Sequence, residues 1–546
     1  MIAVAAFAVP VAVLALAVLL GGPRPTADVR LAARPVRPLW NAAAISGEYV
    51  SAAAFLGTAG LVLAHGPDLL WLPAGATAGY VLLLTFVAGP LRRSGAFTLA
   101  DFAEWRFGSP AVRRLVSACV CCVGWFYLLP QFQGAGLTLR VLTGAPEWTG
   151  WALVAATSLG LALTRTVRGA TSVQAVQFWV KFGAVALPVA AFAALGPRLA
   201  ADGRPAAPRF EHATSVHVRT GARVLVPADV RVVATGTVDG VRRRDGRIVL
   251  RAGAHTVADG TRLDFPAGAP VPRPAGRARC APHPLYTAYS ALLGVLLGTV
   301  GLPHILMRFY TDAGGRAARR TAALVPGLLA LFSLFPALYG VLGRVYTPEL
   351  LLSGDTDAVI LTLPARVAPG AAGAVLTGCV AAGAFAAFLS TSCGLVAAVA
   401  GTARAARRTL VFRGGAVAAL AVPLAVTARG APHGTASLVT VALTVSACSL
   451  CPLLVLGIWW RGLTSAGACA GLAVGGGSAV AAGTVALAGV PLPGPLGAVV
   501  EQPALVLVPL AAGVMVVVSL LDRRAVPARA DHALARLHLP DDIVVR

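Results

Sequence analysis

Residues 40–60 read WNAAAISGEYVSAAAFLGTAG, an apolar run with a polar centre. About 20 apolar residues cross a bilayer as a helix, so this stretch can form most of a membrane span. The carboxylate of Glu48 stands beside Gly47, and an ionisable group at bilayer depth usually has a function because its burial is unfavourable. We therefore expect the helix to break near Gly47, with freed backbone lining a cavity or an ion site. The alternative is a polar residue near a helix end that hydrogen-bonds to a neighbouring helix.

The composition is that of a polytopic α-helical membrane protein. Of the 546 residues, 57% are hydrophobic and 12% are charged, and the mean hydropathy is +0.78, which no soluble domain of this length shows. The net charge of +23 does not indicate a nucleic-acid partner, because the arginines stand between apolar runs and there set the membrane topology. The cysteines lie mostly inside apolar runs, so we predict no structural disulfide and no metal cluster. No nucleophile–base constellation is evident, which argues against an enzyme.

Thirteen apolar runs predict thirteen transmembrane helices. The runs cover residues 2–21, 40–64, 69–90, 115–142, 148–164, 170–196, 285–308, 321–344, 371–400, 412–427, 436–458, 465–489 and 501–521. Arginines concentrate in alternate connections, so the positive-inside rule places the N-terminus outside and the C-terminus inside. We expect a multi-pass protein of the bacterial plasma membrane, that is, the inner membrane.

Residues 197–284 depart from this pattern and form a predicted external insertion. They are rich in proline and arginine, and ARVLVP, VRVVATGTV and GRIVLRAG alternate with Asp-Gly pairs. Such alternation predicts short β-hairpins. A disordered loop is the alternative.

A hydroxyl cluster marks a second unusual span, residues 371–400, in which Ser390 and Thr391 stand together. Hydroxyls in membrane helices usually bond to their own helix or join two helices, so the cluster alone is weak evidence. In combination with a broken span it is more specific. A small hard cation takes about five or more oxygen ligands, which unwound carbonyls and two hydroxyls can supply.

Four motifs resemble the sodium/solute symporter family, and most closely its cation/acetate symporter branch. They are WNAAAISGEYVSAAAFLG, TSVQAVQFWVK, GLPHILMRFYTDAGGRAARR and AFAAFLSTSCG. The resemblance implies a fold of the leucine-transporter type with two inverted five-helix repeats. The implied units are a peripheral first span with its connector (1–39), the first repeat (40–196), the insertion (197–284), the second repeat (285–458), two peripheral spans (459–521) and a cytoplasmic tail (522–546).

The resemblance also implies one coupling sodium ion and no other cofactor. The implied ligands are the carbonyls of Ser46, Tyr49 and Ala387 and the hydroxyls of Ser390 and Thr391. Some relatives bind a second ion through an acidic residue in the sixth span. This chain has Gln174 at that position, so we predict a single sodium.

Candidate solute and gating residues lie near the break and on three other spans: Glu48, Ser51, Tyr127, Gln131, Gln133, Gln174, Tyr286, Thr287 and Tyr289. Helix packing or interfacial anchoring would explain each of them as well. Lys181, the single lysine, stands inside a span, where snorkelling or gating is expected. His304 and Arg308 are interpreted as gate or topology residues. With no arginine evident at mid-depth, an anion would be bound by helix N-termini, hydroxyls and sodium.

These features predict a symporter that couples sodium to uptake of a short-chain monocarboxylate, acetate being the first choice, by alternating access. Three alternatives stay open. They are sodium-coupled transport of an amino acid or other small solute, proton-coupled carboxylate uptake through Glu48, and a membrane sensor module. The short tail at 522–546 argues against the sensor. The expected partners are the solute and the lipid bilayer, and no obligate protein partner is evident.

Overall fold

The structure is a computed structural model. It describes residues 37–539 except 97, 165–166, 202–208, 211, 219–220, 278–282, 309–314, 369, 404–408, 431–433, 491, 493 and 528–529. The first predicted span, residues 2–21, lies outside the described residues, as does the end of the tail.

Helices make up most of the described chain. They are α1 (Pro38–Tyr49), α2 (Thr58–His65), α3 (Trp71–Leu82), α4 (Gly89–Ser94), α5 (Leu99–Phe107), α6 (Pro110–Thr143), α7 (Glu147–Thr164), α8 (Val167–Ala201), α9 (Pro284–Val300), α10 (Pro303–Leu306), α11 (Gly315–Tyr346), α12 (Leu350–Ser353), α13 (Val359–Val367), α14 (Ala371–Gly401), α15 (Thr409–Ala428), α16 (Thr435–Cys448), α17 (Leu450–Trp459), α18 (Ser465–Gly471), α19 (Gly477–Leu487), α20 (Gly494–Glu501), α21 (Ala504–Leu521) and α22 (Ala530–His538). Short π-helical segments at Ala53–Gly57, Leu83–Ala88 and Leu472–Gly476 adjoin α2, α3 and α18, respectively.

Ten helical segments of the described chain are long and apolar enough to cross a membrane. They are Trp71–Ser94, Pro110–Thr143, Val173–Ala194, Leu285–Leu306, Arg319–Tyr346, Ala371–Gly401, Leu410–Ala428, Thr435–Trp459, Ser465–Leu487 and Ala504–Leu521. A bent pair, Pro38–Tyr49 with Ala53–His65, raises the number to as many as eleven. The fifth predicted span, residues 148–164, corresponds to α7, which is not among these ten segments. The total of thirteen, the inverted repeats and the orientation of the termini stay predictions.

The helix α14 lies inside the bundle, and the broken helix packs beside it. Both α1 and α14 pack against α8, and α14 also packs against α6 and α7. Lipid gives helices little hydrophobic reason to associate, so close contact in a membrane depends on small residues. The sequence of α14 is accordingly rich in alanine and glycine. The helices α8 and α14 therefore pack around the end of α1, where the backbone of α1 leaves the helical path.

The described residues after α8 and before α9 fold as one antiparallel sheet. Its strands are β1 (Thr214–Val218), β2 (Ala222–Val226), β3 (Val230–Val238), β4 (Val241–Leu250), β5 (Gly253–Val257), β6 (Thr261–Phe265) and β7 (Arg273–Arg277). The order is β1-β6-β3-β5-β2-β7, with β4 paired to β3. Asp239 and Gly240 join β3 to β4 with φ of 52° and 80°, as a two-residue hairpin of type I′ requires. The predicted β structure is therefore present in the described residues of the insertion, but only β3 and β4 among the described strands form a hairpin, and the others pair across longer connections.

The sheet has a small core of its own and sits at one end of the helical bundle. Alternate residues of the strands bury side chains such as Val224, Val232 and Phe265 against one another. The strands β1 and β7 contact α12, and β7 also contacts α2. The connections after α2 and around α12 are both predicted to be external, so the contacts agree with an external sheet. Its side of the membrane stays a prediction.

Gly298 lets α9 lie directly against the backbone of α16. A Cβ built at Gly298 would overlap the carbonyl of Leu443 on α16. Overpacking of a tight contact costs roughly 1–3 kcal/mol, so we expect Gly298→Ala to lower the thermal midpoint of the solubilised protein by several degrees. Gly327→Ala on α11 is the matched control, because a Cβ there meets nothing within 4 Å. Equal midpoints for the two variants would contradict the close contact.

Candidate cation and solute site

The first described membrane span breaks at Val50. The helix α1 ends at Tyr49, Val50 and Ser51 are not helical, and the path bends by 77° before the chain continues toward α2. Gly47 is not the point of breakage. A Cβ at Gly47 would lie 2.8 Å from the carbonyl oxygen of Gln174 on α8, so the glycine allows the two helices to approach closely. The predicted break exists, and the structure places it further along the chain.

Two hydroxyls of α14 meet the end of α1. Ser390 Oγ donates to the carbonyl of Gly47 at 2.9 Å, and Thr391 Oγ1 donates to the carbonyl of Glu48 at 2.8 Å. Both side chains are completely buried. The hydroxyl cluster and the broken span, which are more than three hundred residues apart in the chain, therefore form one group of oxygens.

The amino group of Lys181 lies in this group of oxygens. Its Nζ donates to the carbonyl of Val50 at 2.9 Å, and also to the carbonyl of Gly47 and to Oγ of Ser390. The side chain is fully buried. The expectation that Lys181 snorkels is therefore wrong, because the side chain reaches across the packed helices from α8 to the break instead of extending to the membrane surface.

The carbonyls that reach the Lys181 amino group are not those predicted to bind sodium. The carbonyl of Ser46 accepts the backbone N–H of Val50 at 2.9 Å, so it belongs to the last turn of α1. Gly47 and Val50, rather than Ser46 and Tyr49, supply the carbonyls that reach the amino group. Gly47 and Val50 have the same i, i+3 spacing as Ser46 and Tyr49, whose role as sodium ligands stays a prediction. The carbonyl of Ala387, one turn earlier on α14, lies 3.2 Å from Ser390 Oγ.

Glu48 forms a buried ion pair with Arg308. The carboxylate Oε2 accepts from Nε of Arg308 at 2.7 Å, and the Glu48 side chain is 1% exposed. The side chain of Gln174 also hydrogen-bonds with Glu48, and Gly394 on α14 leaves room for the carboxylate. An arginine therefore does reach a carboxylate at the break, contrary to the expectation from the sequence. Gln174, one of the predicted solute candidates, therefore lies beside Glu48.

Several predicted solute residues do gather at the break. Tyr127 donates its hydroxyl to Ser51 Oγ at 3.5 Å. Gln131 Oε1 accepts the backbone N–H of Ala52 at 3.0 Å, so this side chain caps the resumed helix. The hydroxyl of Tyr49 lies 3.4 Å from Thr299 Oγ1 at the end of α9. Side chains of α6 and α9 thus surround the non-helical residues.

Two buried polar residues at the break carry too weak a sequence signal to be predicted as solute contacts. The ring of His304 lies edge-on to Tyr127 with 5.3 Å between centroids, and neither ring nitrogen has a hydrogen-bond partner among the described residues. Tyr80 lies edge-on to Tyr49, and its buried hydroxyl has no described partner either. The sequence marks each of them only as a polar residue inside or beside an apolar run, without the neighbouring glycine and the full charge that mark Glu48.

Three solute candidates, Tyr286, Thr287 and Tyr289, lie away from the break. Tyr286 donates its hydroxyl to the carbonyl of Gln502 at 2.9 Å, and Thr287 donates to the carbonyl of His283. Tyr289 is 61% exposed. The three residues open α9, whereas the opposite end of α9, at Thr299, meets the break. Their prediction as solute contacts is not supported, and Gln133 on α6 is half-buried.

A protein family that is already known matches most of the chain. Residues 30–241 and 278–475 match the Sodium:solute symporter family. The chain belongs to this family. Family membership makes it a multi-pass membrane transporter of a small solute, and it supports sodium as the coupling ion.

Individual relatives of this symporter are distant. It is 26% identical over 447 residues to the uncharacterized symporter YwcA of Bacillus subtilis, covering 78% of this chain and 75% of that one. It is 27% identical over 469 residues to the Monocarboxylic acid transporter of Corynebacterium glutamicum, covering 80% and 74%. A solved structure of a Na+-coupled sialic acid symporter aligns with a TM-score of 0.60 at 12% identity, over 95% of this chain and 98% of that chain. That likeness shows a shared fold.

Proposed function

We propose that this symporter takes up a small monocarboxylate, acetate being the first candidate, and couples it to a cation bound where α1 breaks against α14. The observation that carries the proposal is the charge at the break. Glu48 is committed to Arg308, so the Lys181 amino group is surrounded by neutral oxygens and hydrogen-bonds to no carboxylate of the described chain. A bound monocarboxylate would supply the missing negative charge, and an unpaired buried charge is unfavourable.

Two further observations support an anionic solute. The Monocarboxylic acid transporter is among the relatives of the chain. In addition, His304 and Tyr80 present buried polar atoms without described partners next to the break. A neutral imidazole has one N–H donor and a tyrosine has one O–H donor, and a carboxylate accepts both. We infer that these donors orient the carboxylate beside a cation that holds α1 to α14.

The test is uptake of radiolabelled acetate into proteoliposomes with and without an inward sodium gradient. We expect Ser390→Ala/Thr391→Ala to lower the coupled rate by about tenfold or more, since each lost hydrogen bond is worth roughly 0.5–1.5 kcal/mol. Ser392→Ala is the matched control, because the hydroxyl of Ser392 is buried on the same helix but has no described hydrogen-bond partner. If the double variant keeps full gradient-driven uptake, the two hydroxyls do not belong to the coupling site.

A membrane potential distinguishes the carboxylate from a zwitterionic amino acid. One sodium moving with one monocarboxylate carries no net charge, so an imposed potential should leave the rate unchanged. One sodium with a zwitterion carries one charge, and the potential then contributes about 2.3 kcal/mol per 100 mV. Proton coupling through Glu48 is disfavoured by its ion pair with Arg308 at 2.7 Å. Acetate uptake that ignores sodium and follows a pH gradient would favour it.

A further inference from the structure

Lys181 places a cation where the coupling ion is expected. Its Nζ donates to the carbonyls of Gly47 and Val50, which the break sets free, and to Oγ of Ser390. Ser390 is itself one of the predicted sodium ligands. The amine and a sodium ion bound by these oxygens would therefore occupy the same position.

The geometry around Nζ fits a charged ammonium group. Three acceptors surround Nζ, and an ammonium has three N–H donors, whereas a neutral amine has two. The Ser390 hydroxyl has one hydrogen, and the carbonyls of Gly47 and Ala387 lie 2.9 and 3.2 Å from its oxygen. Its lone pairs therefore remain available to the ammonium. All three acceptors are uncharged, as they would also be around a sodium ion.

We propose that the Lys181 ammonium is a tethered cation that substitutes for sodium, so that the two are mutually exclusive occupants of one site. The proposal deepens the proposed function and rests on it, since it concerns the same coupling site. Two positive charges a few ångströms apart repel strongly where water is excluded. Sodium can therefore enter only after the Lys181 side chain has left the oxygens of Gly47, Val50 and Ser390.

The tether also determines which helices the cation joins. A sodium ion between the carbonyls of Gly47 and Val50 and the hydroxyl of Ser390 would join α1 to α14. The ammonium makes the same link and adds α8, on which Lys181 stands. We infer that α1 and α14 stay together without sodium in this chain. The affinity for sodium is correspondingly lowered by a competitor that cannot diffuse away.

The test measures sodium binding to the full-length protein in detergent, with no carboxylate present. Sodium chloride replaces choline chloride at constant ionic strength, and the rise of the thermal midpoint with sodium gives an apparent Kd. We expect Lys181→Met to bind sodium at least about tenfold more tightly than the wild type, because the competitor is gone. Lys181→Arg keeps a permanent charge in the site and should not respond. Sodium should also restore the stability that Lys181→Met loses, which a purely structural lysine would not allow.

Two outcomes would overturn the proposal. One is a wild type that binds sodium as tightly as Lys181→Met, and the other is a folded Lys181→Met that does not respond to sodium. If neither Lys181→Met nor Lys181→Gln folds, the wild type decides: a sodium-specific stabilisation at low millimolar sodium overturns the proposal, and its absence supports it. No carboxylate takes part, so failure of acetate uptake would leave this result intact. Failure here would likewise leave the proposed solute standing.

Discussion

Glu48→Gln is expected to destabilise the symporter by about 3–5 kcal/mol and to abolish uptake, because it removes one partner of a buried ion pair. The carboxylate of Glu48 is 1% exposed, and it holds the Arg308 guanidinium at 2.7 Å. An amide cannot neutralise that guanidinium. The thermal midpoint of the solubilised protein and the rate of acetate uptake in proteoliposomes measure the two effects.

An exposed ion pair of the same chain supplies the matched control. Glu349 and Arg366 lie 2.9 Å apart, but their side chains are 46% and 62% exposed. Exposed pairs contribute about 0–1 kcal/mol, so Glu349→Gln should leave both the midpoint and the uptake rate close to the wild-type values. The comparison separates burial of the charge from loss of an ion pair as such.

The double variant Glu48→Gln/Arg308→Gln shows whether the effect belongs to the pair. When both charges are removed, no isolated charge is left inside, so the double variant should be more stable than the sum of the single losses predicts. A coupling of about 0.5–3 kcal/mol is typical of residues in contact. Additive losses, or a Glu48→Gln protein as stable as the Glu349→Gln control, would contradict a structural ion pair at the break.

The existence of the broken span could be predicted from the sequence, but its position could not. A glycine beside a carboxylate in an apolar run is unusual enough to indicate irregular backbone. The same glycine can serve either a break or a close helix contact, and only the position of α8 decides between them. In the structure Gly47 faces the backbone of Gln174, and the helix continues past it to Tyr49.

The partners across the break depend on contacts between distant residues, which composition and spacing do not encode. Arg308 lies 260 residues from Glu48, in a stretch whose arginines also mark topology. Lys181 could snorkel to the surface or point inward, since the sequence does not give the rotation of α8 about its axis. Ser390 and Thr391 could be singled out because two adjacent hydroxyls in an apolar span, weak evidence alone, are more specific in combination with a broken span. The residues that open α9 are not, because the sequence does not tell which end of that helix meets the break.

Gly394→Ala is expected to disrupt the Glu48–Arg308 pair from the opposite helix. Gly394 stands on α14, and a Cβ at this position would overlap Oε1 of Glu48. The end of a flexible side chain can usually move aside, but this carboxylate is buried and is held by Arg308. Movement therefore breaks the ion pair. We expect uptake to be lost and the thermal midpoint to fall about as far as in Glu48→Gln.

A control variant, Gly378→Ala, and a double-mutant cycle of Gly394→Ala with Glu48→Ala identify the cause of that loss. Gly378 lies on the same helix, and a Cβ there meets nothing within 4 Å, so Gly378→Ala should keep wild-type stability and uptake. In a Glu48→Ala background the carboxylate is absent, and the methyl group added by Gly394→Ala has room. Gly394→Ala should then cost far less stability than it costs in the wild type, with a coupling of about 0.5–3 kcal/mol. If Gly394→Ala is equally destabilising in both backgrounds, the glycine serves helix packing rather than the carboxylate. Glu48 would then have space to adopt another position in the transport cycle.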